Sequence, residues 1–336
     1  MSDVPRMMRD ILDQPESLKQ VLDHQFGRGA HALEQAADTI RSVPTIIVTG
    51  MGASLYGAMP LAYQLNSIGR ACQVLEAGEL LHFGGDLPRG ALVIIVSRSG
   101  ETVEAVNLLP KLTAARAHVI AVTNDRTSRL AREADLALCV NSRADEAVAI
   151  QSYTGTAMLS LLLAAEVMGR DLREQADAVV ETCRTTLERE QDQEWNEFLD
   201  RAKVVYLLGR GSSLASVYEG ALLFNETAKL PSVAMAAGGF RHGPVEVVDA
   251  DFRAVLFRSE PATEHLDGAL GVWIEGVGGR VKMVSSAPGF FSPLAEIIPV
   301  QFAAFHAANQ RDITPGKFRY VSLVTTSETD FKADGA

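Results

Sequence analysis

The sequence predicts an α/β chain built from two tandem copies of one domain, each a mostly parallel sheet with helices on both faces. Three observations carry this. Short β-branched runs alternate with helical patterns along the chain. The run Leu92–Val96 (LVIIV) is continuously apolar, as a strand covered on both faces must be. Segments also recur in order. GMGASL at Gly50–Leu55 returns as GRGSSL at Gly209–Leu214, and LVIIVSRS at Leu92–Ser99 returns as FRAVLFRS at Phe252–Ser259. HVIAVTND at His118–Asp125 has a weaker echo in RVKMVSSA at Arg280–Ala287. The offsets are 159, 160 and 162 residues, and a nearly constant spacing is the signature of duplication.

The elements follow in order. Met7–Ala37 reads as one or two amphipathic helices, with Asp13 or Gln14 as a cap and Pro15 at the first helical position. Strands are expected at Ile46–Thr49, Leu92–Val96, Val119–Val122 and Leu136–Val140. Helices are expected at Leu55–Asn66, Glu101–Ala115, Ser128–Glu133 and Val148–Met168, with Pro60 kinking or breaking the first. The polar stretch Asp171–Asp200 holds the join, placed near Glu190. The domains are then 1–190, a helical leader plus the first copy, and 191–336, the second copy plus a tail.

Composition narrows the function. With 31 Lys and Arg against 42 Asp and Glu, the net charge of −11 argues against a nucleic-acid footprint. Cys72, Cys139 and Cys183 form no C-x-x-C pair, so reduced, buried thiols are expected rather than a disulfide framework or zinc site. His82, His242 and His306 lack metal-ligand spacing, and no metal is expected. The leader lacks a signal peptide's pattern, and Ala157–Ala165 is a buried helix, far short of the about 20 residues of a membrane span. A cytoplasmic protein with no membrane contact is expected.

Two motifs carry chemistry. Gly50-Met51-Gly52-Ala53-Ser54 follows a strand and opens a helix, where free N–H groups favour an anion. Leu55 stands where a dinucleotide fingerprint needs glycine, which disfavours a nicotinamide cofactor. Ser97-Arg98-Ser99-Gly100-Glu101-Thr102 follows the LVIIV strand and gathers three hydroxyls on one turn, suited to phosphate oxygens. The same residues also fit a helix cap, with Ser97 or Ser99 as N-cap and Glu101 or Glu104 in the first turn. Glu101 is expected to face the helix or a substrate hydroxyl.

S-x-S-G-E-T after an apolar strand, preceded by G-x-G-x-S and echoed later, resembles the SIS (sugar isomerase) domain, here in two tandem copies over roughly Ile11 to Glu328. The second copy reads Leu208-Gly209-Arg210-Gly211, Glu219-Gly220-Ala221-Leu222, Asn225-Glu226 and Arg241-His242-Gly243-Pro244. This series is similar to the isomerase half of glucosamine-6-phosphate synthase and to the related deaminases. The resemblance implies a homodimer with active sites at subunit contacts and a sugar-phosphate substrate, and the chemistry needs no cofactor. Gly52, Ala53, Ser54, Ser97, Arg98, Ser99, Thr102, Gln151 and Ser152 would bind the sugar phosphate. Glu226 would move a proton between C1 and C2, and His242 would assist ring opening. A buried carboxylate and a neutral-range histidine suit those tasks.

The chain departs from the family pattern at three lysine positions, which hold Leu223, Gln151 and Tyr320. Lys317 and Arg319, with Tyr320, form a C-terminal set that could compensate. Arg319-Tyr320 is closer to the tail of fructosamine-6-phosphate deglycases, whereas Arg241-His242-Gly243-Pro244 is closer to isomerases and deaminases. Residue 2 is Ser, and the first copy begins too early for a glutaminase domain, so ammonia transfer from glutamine is not expected. Three functions stay open: isomerase or deaminase, deglycase, and non-catalytic sugar-phosphate sensor.

Overall fold

The computed structural model describes residues 4–193, 195–285, 289–322 and 324–330. The last two residues of the weakest echo, 286 and 287, lie outside them. The chain opens with α1 (Arg6–Leu12), α2 (Gln14–Gln25) and α3 (Ala30–Ser42). It continues through β1 (Ile46–Gly50), α4 (Gly52–Ser67), β2 (Cys72–Glu76), α5 (Ala77–Phe83), β3 (Leu92–Val96), α6 (Val103–Ala115), β4 (His118–Thr123), α7 (Arg129–Glu133), β5 (Leu136–Cys139) and α8 (Gln151–Val167). Then come α9 (Arg173–Gln191), α10 (Trp195–Leu199), β6 (Val205–Gly209), α11 (Leu214–Leu223), β7 (Ser232–Ala236), α12 (Ala237–Phe240), β8 (Arg253–Phe257), α13 (Glu264–Gly276), β9 (Arg280–Val284), α14 (Ser292–Glu296) and α15 (Ile298–Gln310).

These elements form two compact units interleaved along the chain. One comprises Glu16–Ala144, Gln151–Glu174 and Phe318–Ala336; the other comprises Met1–Pro15, Asp145–Ile150 and Gln175–Lys317. The first holds a five-stranded parallel sheet in the order β2-β1-β3-β4-β5. Every residue of β1 and β3 is buried, which explains their unbroken apolar sequence. One face packs Val93, Ile95, Leu108, Leu112 and Ala121 together. Each such side chain contributes about 1.5–3 kcal/mol on leaving water. The sequence reading misses β2 because it is a half-exposed edge strand whose Gln73 and Glu76 break the apolar pattern.

Several expectations are corrected. Three helices, not two, precede β1, and the third runs on to Ser42. α2 begins at Gln14, so Pro15 is its second residue. Pro60 does not break α4, which runs through it to Ser67 with Pro60 buried. The helix is held from outside: a Cβ on Gly57 would lie 3.1 Å from both Thr156 and the Tyr153 carbonyl of α8. Tertiary packing of that closeness outweighs a proline's local preference. α8 is buried along almost its whole length, as its continuous apolar run requires.

The other unit holds a four-stranded parallel sheet in the order β7-β6-β8-β9. Its core includes Leu208, Phe240, Phe252, Leu256 and Ile274. The Tyr206 and Phe252 rings pack with centroids 4.9 Å apart. Each sheet places its first strand inside, its second at one edge and its third on the far side of the first. The stretch expected to hold the join forms α9. Cys72, Cys139 and Cys183 are buried and free, and burial pushes the Cys72 and Cys183 thiols up to about 12. Among the described residues no helix is long and apolar enough to cross a membrane.

Candidate functional site

In the five-stranded sheet the order reverses between β1 and β3, so the loops leaving their carboxyl ends flank a switch point, where open α/β sheets take ligands. The two strands end in register, Gly50 opposite Val96. A Cβ on Gly50 would meet the Val96 carbonyl at 2.6 Å, so glycine is needed for the strands to finish side by side. Gly52 then turns the chain at φ +50° and α4 begins, with no side-chain cap on its first turn. Ala53 and Ser54 lie in that turn, and the Ser54 N–H donates to the Met51 carbonyl at 3.2 Å.

The loop after β3 is built from its own hydroxyls. Ser97 Oγ lies 2.8 Å from Thr102 Oγ1 and accepts from the Gly100 N–H at 3.1 Å. Ser99 Oγ accepts from the Glu101 N–H at 3.2 Å. Neither serine is the N-cap of α6. That position falls to Thr102, which gives no side-chain cap bond, and the helix starts at Val103 rather than Glu101. The reason is Gly100, whose left-handed backbone (φ +65°) prolongs the loop beyond the two serines. The Val103 N–H is met instead by the Thr325 carbonyl, at 3.0 Å, and Glu328 pairs with His82 at 2.7 Å. The segment after Phe318 therefore lies against this unit through Thr325 and Glu328, while Arg319 and Tyr320 stand exposed. Glu101 turns to α7, where its carboxylate accepts from the Arg129 N–H at 2.6 Å.

Sequence reasoning missed the residues behind this loop. Thr123 Oγ1 donates to the Arg98 carbonyl at 3.1 Å, and the Asn124 N–H donates to the same carbonyl at 3.0 Å. Ser128, which caps α7, fills the space beneath Gly100. The signal was the polar T-N-D-R-T-S run directly after β4. Gln151 and Ser152 open α8 and are buried, with Gln151 Nε2 donating to the Ala144 carbonyl at 3.4 Å.

In the four-stranded unit Glu226 lies half-buried in a π turn, Phe224–Ala228, that continues α11. Seven residues earlier Glu219 is fully buried, and neither of its carboxyl oxygens has a hydrogen-bond partner. Burial holds the Glu219 carboxyl well above its ordinary 4.5, and the charges of Glu226 and Asp145 push it the same way. Leu223, also buried, lies between the two acids in sequence. Lys229, absent from the sequence-derived set, ends the π turn and donates to the carbonyls of Glu226 and Lys317. Lys317 reaches this turn by its backbone, and its side chain is exposed. His242 sits in the turn after α12, exposed, its N–H donating to the Gly239 carbonyl at 2.9 Å.

The second G-x-G-x-S loop, Gly209–Ser213, holds carboxylates of its own unit. Glu260 accepts from the Ser212 N–H at 3.0 Å and from its hydroxyl. Glu296, fully buried, accepts from Ser213 at 3.0 Å and Ser216 at 2.8 Å. Burial raises its pKa, and hydrogen bonds from Ser259, Ser216 and Ser213 oppose the rise. Arg210 pairs with buried Asp267 at 2.7 Å.

Residues 39–168, spanning β1 to α8, match the SIS domain family. The chain is 26% identical over 96% of its length to a glutamine–fructose-6-phosphate aminotransferase (isomerizing) of Sulfurisphaera tokodaii, and spans 56% of that relative. A Silicibacter pomeroyi protein provisionally named a phosphosugar isomerase superposes with TM-score 0.82 at 25% identity, covering 93% of this chain and all of that one. The C-terminal domain of a Francisella tularensis glucosamine-fructose-6-phosphate aminotransferase superposes with TM-score 0.84 at 19% identity, covering 93% of this chain and 98% of that one, a likeness of fold. Residues 39–168 thus match the SIS domain family, and over nearly its full length the chain is similar to isomerizing aminotransferases and to a protein provisionally named a phosphosugar isomerase.

Proposed function

We propose that the chain is a phosphosugar isomerase-type enzyme acting on an open-chain sugar or amino-sugar 6-phosphate. The observation that carries the phosphate assignment is the pair of loops at the β1/β3 switch point. There Ser54 lies in the first turn of α4, and Ser97, Ser99 and Thr102 precede α6; the dipoles of both helices favour an anion. Gly52, Ala53 and Arg98 belong to the same loops, and Gln151 and Ser152 to the start of α8. Glu226 is the proposed base. Its carboxylate takes the proton from the carbon beside the carbonyl and the electron pair moves to form the enediolate; the hydroxyl proton passes from one oxygen to the other, and the carbon-derived proton returns to the neighbouring carbon. His242 would assist ring opening, and Lys317, Arg319 and Tyr320 would contribute from the C-terminal side. The common strand order of the two sheets supports the reading of the chain as two tandem SIS copies. A homodimer is the expected assembly, checked by light scattering.

The test is a panel of fructose 6-phosphate, glucosamine 6-phosphate, its N-acetyl form and fructosamine 6-phosphate adducts, with ammonia, free amino acid and sugar product followed together. Glu226→Gln should bind the turned-over sugar phosphate normally and lose about 10²–10⁴-fold in rate. Release of amino acid from an adduct would assign a deglycase instead. Binding without turnover across the panel would assign a sensor.

A further inference from the structure

The π turn that carries Glu226 is the last turn of its helix, so the Glu226 carbonyl is one of the terminal carbonyls. In a regular helix the Glu226 carbonyl would accept from the N–H of Leu230. Here the Leu230 N–H donates to the Phe224 carbonyl instead, at 3.2 Å. The next residue, Pro231, has no N–H to offer a π-type bond. The α- and π-helical positions after Glu226 thus supply no regular helical bond to its carbonyl.

Lys229 supplies a bond instead. It adopts the left-handed conformation, φ +51°, which is unfavourable for a residue with a Cβ, and its N–H closes the turn on the Phe224 carbonyl. Its ammonium folds back to donate to the Glu226 carbonyl and reaches the Lys317 carbonyl at 2.7 Å. Lys317 is itself anchored, since the preceding Gly316 (φ +74°) packs so closely on Ala147 that a Cβ would lie 2.6 Å away. Ala147 in turn donates its N–H to buried Asp10 at 3.1 Å. The turn is thus braced, through one ammonium, against a segment pinned to the 145–150 loop.

We propose that Lys229 is a positioning residue for Glu226, fixing the π turn so that the carboxylate keeps one aim through the proton transfer. This rests on the reading of Glu226 as the base. The test compares Lys229→Asn, Lys229→Arg and Glu226→Gln in the full chain. Asparagine tolerates the left-handed conformation and lacks the ammonium; arginine restores a long cation. On whichever panel substrate wild type turns over, Lys229→Asn should lower kcat about ten-fold with KM within about two-fold. Lys229→Arg should recover most of that loss. In the free protein, amide exchange at Thr227–Leu230 should quicken about ten-fold in Lys229→Asn and slow again in Lys229→Arg.

Wild-type kcat in Lys229→Asn, or an arginine variant no better than asparagine, would overturn the proposal. Full activity in Glu226→Gln would sink the base assignment while leaving the exchange comparison to judge the brace. If no panel sugar is turned over, unchanged exchange in Lys229→Asn overturns the brace by itself.

Discussion

The loop after β3 and the loop after β6 answer the same electrostatic problem in opposite ways. Each lies at the carboxyl end of an inner parallel strand and carries serines at a helix start. In the five-stranded unit the hydroxyls of Ser97, Ser99 and Thr102 bond within their own loop. In the four-stranded unit the serines bond outward to two carboxylates, Glu260 and Glu296. The similar segments Leu92–Ser99 and Phe252–Ser259, aligned, set Gly100 opposite Glu260. Where the loop after β3 has no side chain, the loop after β8 carries the anion Glu260, which sits over Gly211 of the loop after β6, at 2.8 Å from where a Cβ would be. A loop whose donors are satisfied by the protein's own carboxylate has little left for a sugar phosphate. The contrast supports the proposal that sugar phosphate binds at the Ser97–Thr102 loop.

The harshest test of this contrast is Gly100→Ala. The new Cβ would lie 2.0 Å from Ser128 Oγ in a backbone at φ +65°, and Ser128 is fixed by its bond to the Asp125 carbonyl at 2.7 Å. The variant should lose sugar-phosphate binding and about 2–4 kcal/mol of stability, read by calorimetry with and without ligand. Retained binding would mean that the loop is not the phosphate site. Next comes Glu260→Gln, which should cost about 1–3 kcal/mol through weaker bonds to Ser212 and leave sugar-phosphate affinity unchanged. A fall in affinity would show that the two loops are not independent in function.

The smallest effect separates partnered from unpartnered acids. Glu260 and Glu296 have serine donors, whereas Glu219 has none. The folded-state pKa of Glu219 is raised, so its contribution is greatest below the unfolded value near 4.5. Stability should then fall as pH rises from 4.5 toward the folded pKa, because the unfolded chain ionises first. Glu219→Gln should flatten that slope in urea titrations from pH 5 to pH 8. An unchanged slope would place the loss of stability elsewhere.

How far the fold could be read in the sequence depended on whether a local pattern matched its final environment. LVIIV was assigned with its correct ends because both faces of β3 are covered. β2 was missed because its outer face meets water. α4 was thought breakable at Pro60 because the grip of α8 on Gly57 is a long-range contact with no local trace. The switch-point loops were legible as G-x-G-x-S and S-x-S-G-E-T, since glycine and hydroxyl spacing is itself the geometry. Glu219 was invisible, because nothing in EGAL says that the glutamate will be buried without a partner. Lys229 was equally hidden, although the P following K-L marks the missing N–H that gives it work.

The burial of the three cysteines has a practical consequence for labelling. Thiols react as thiolates, and a pKa of about 12 leaves about one in ten thousand of the Cys72 and Cys183 groups ionised at pH 8. Cys139 is screened by its own burial. The native chain therefore serves as a nearly silent background for maleimide chemistry. A single cysteine placed at an exposed position such as Phe83 could carry a fluorophore beside His82 and Glu328. Motion of the C-terminal segment could then be followed in real time without first stripping the protein of its own sulfur.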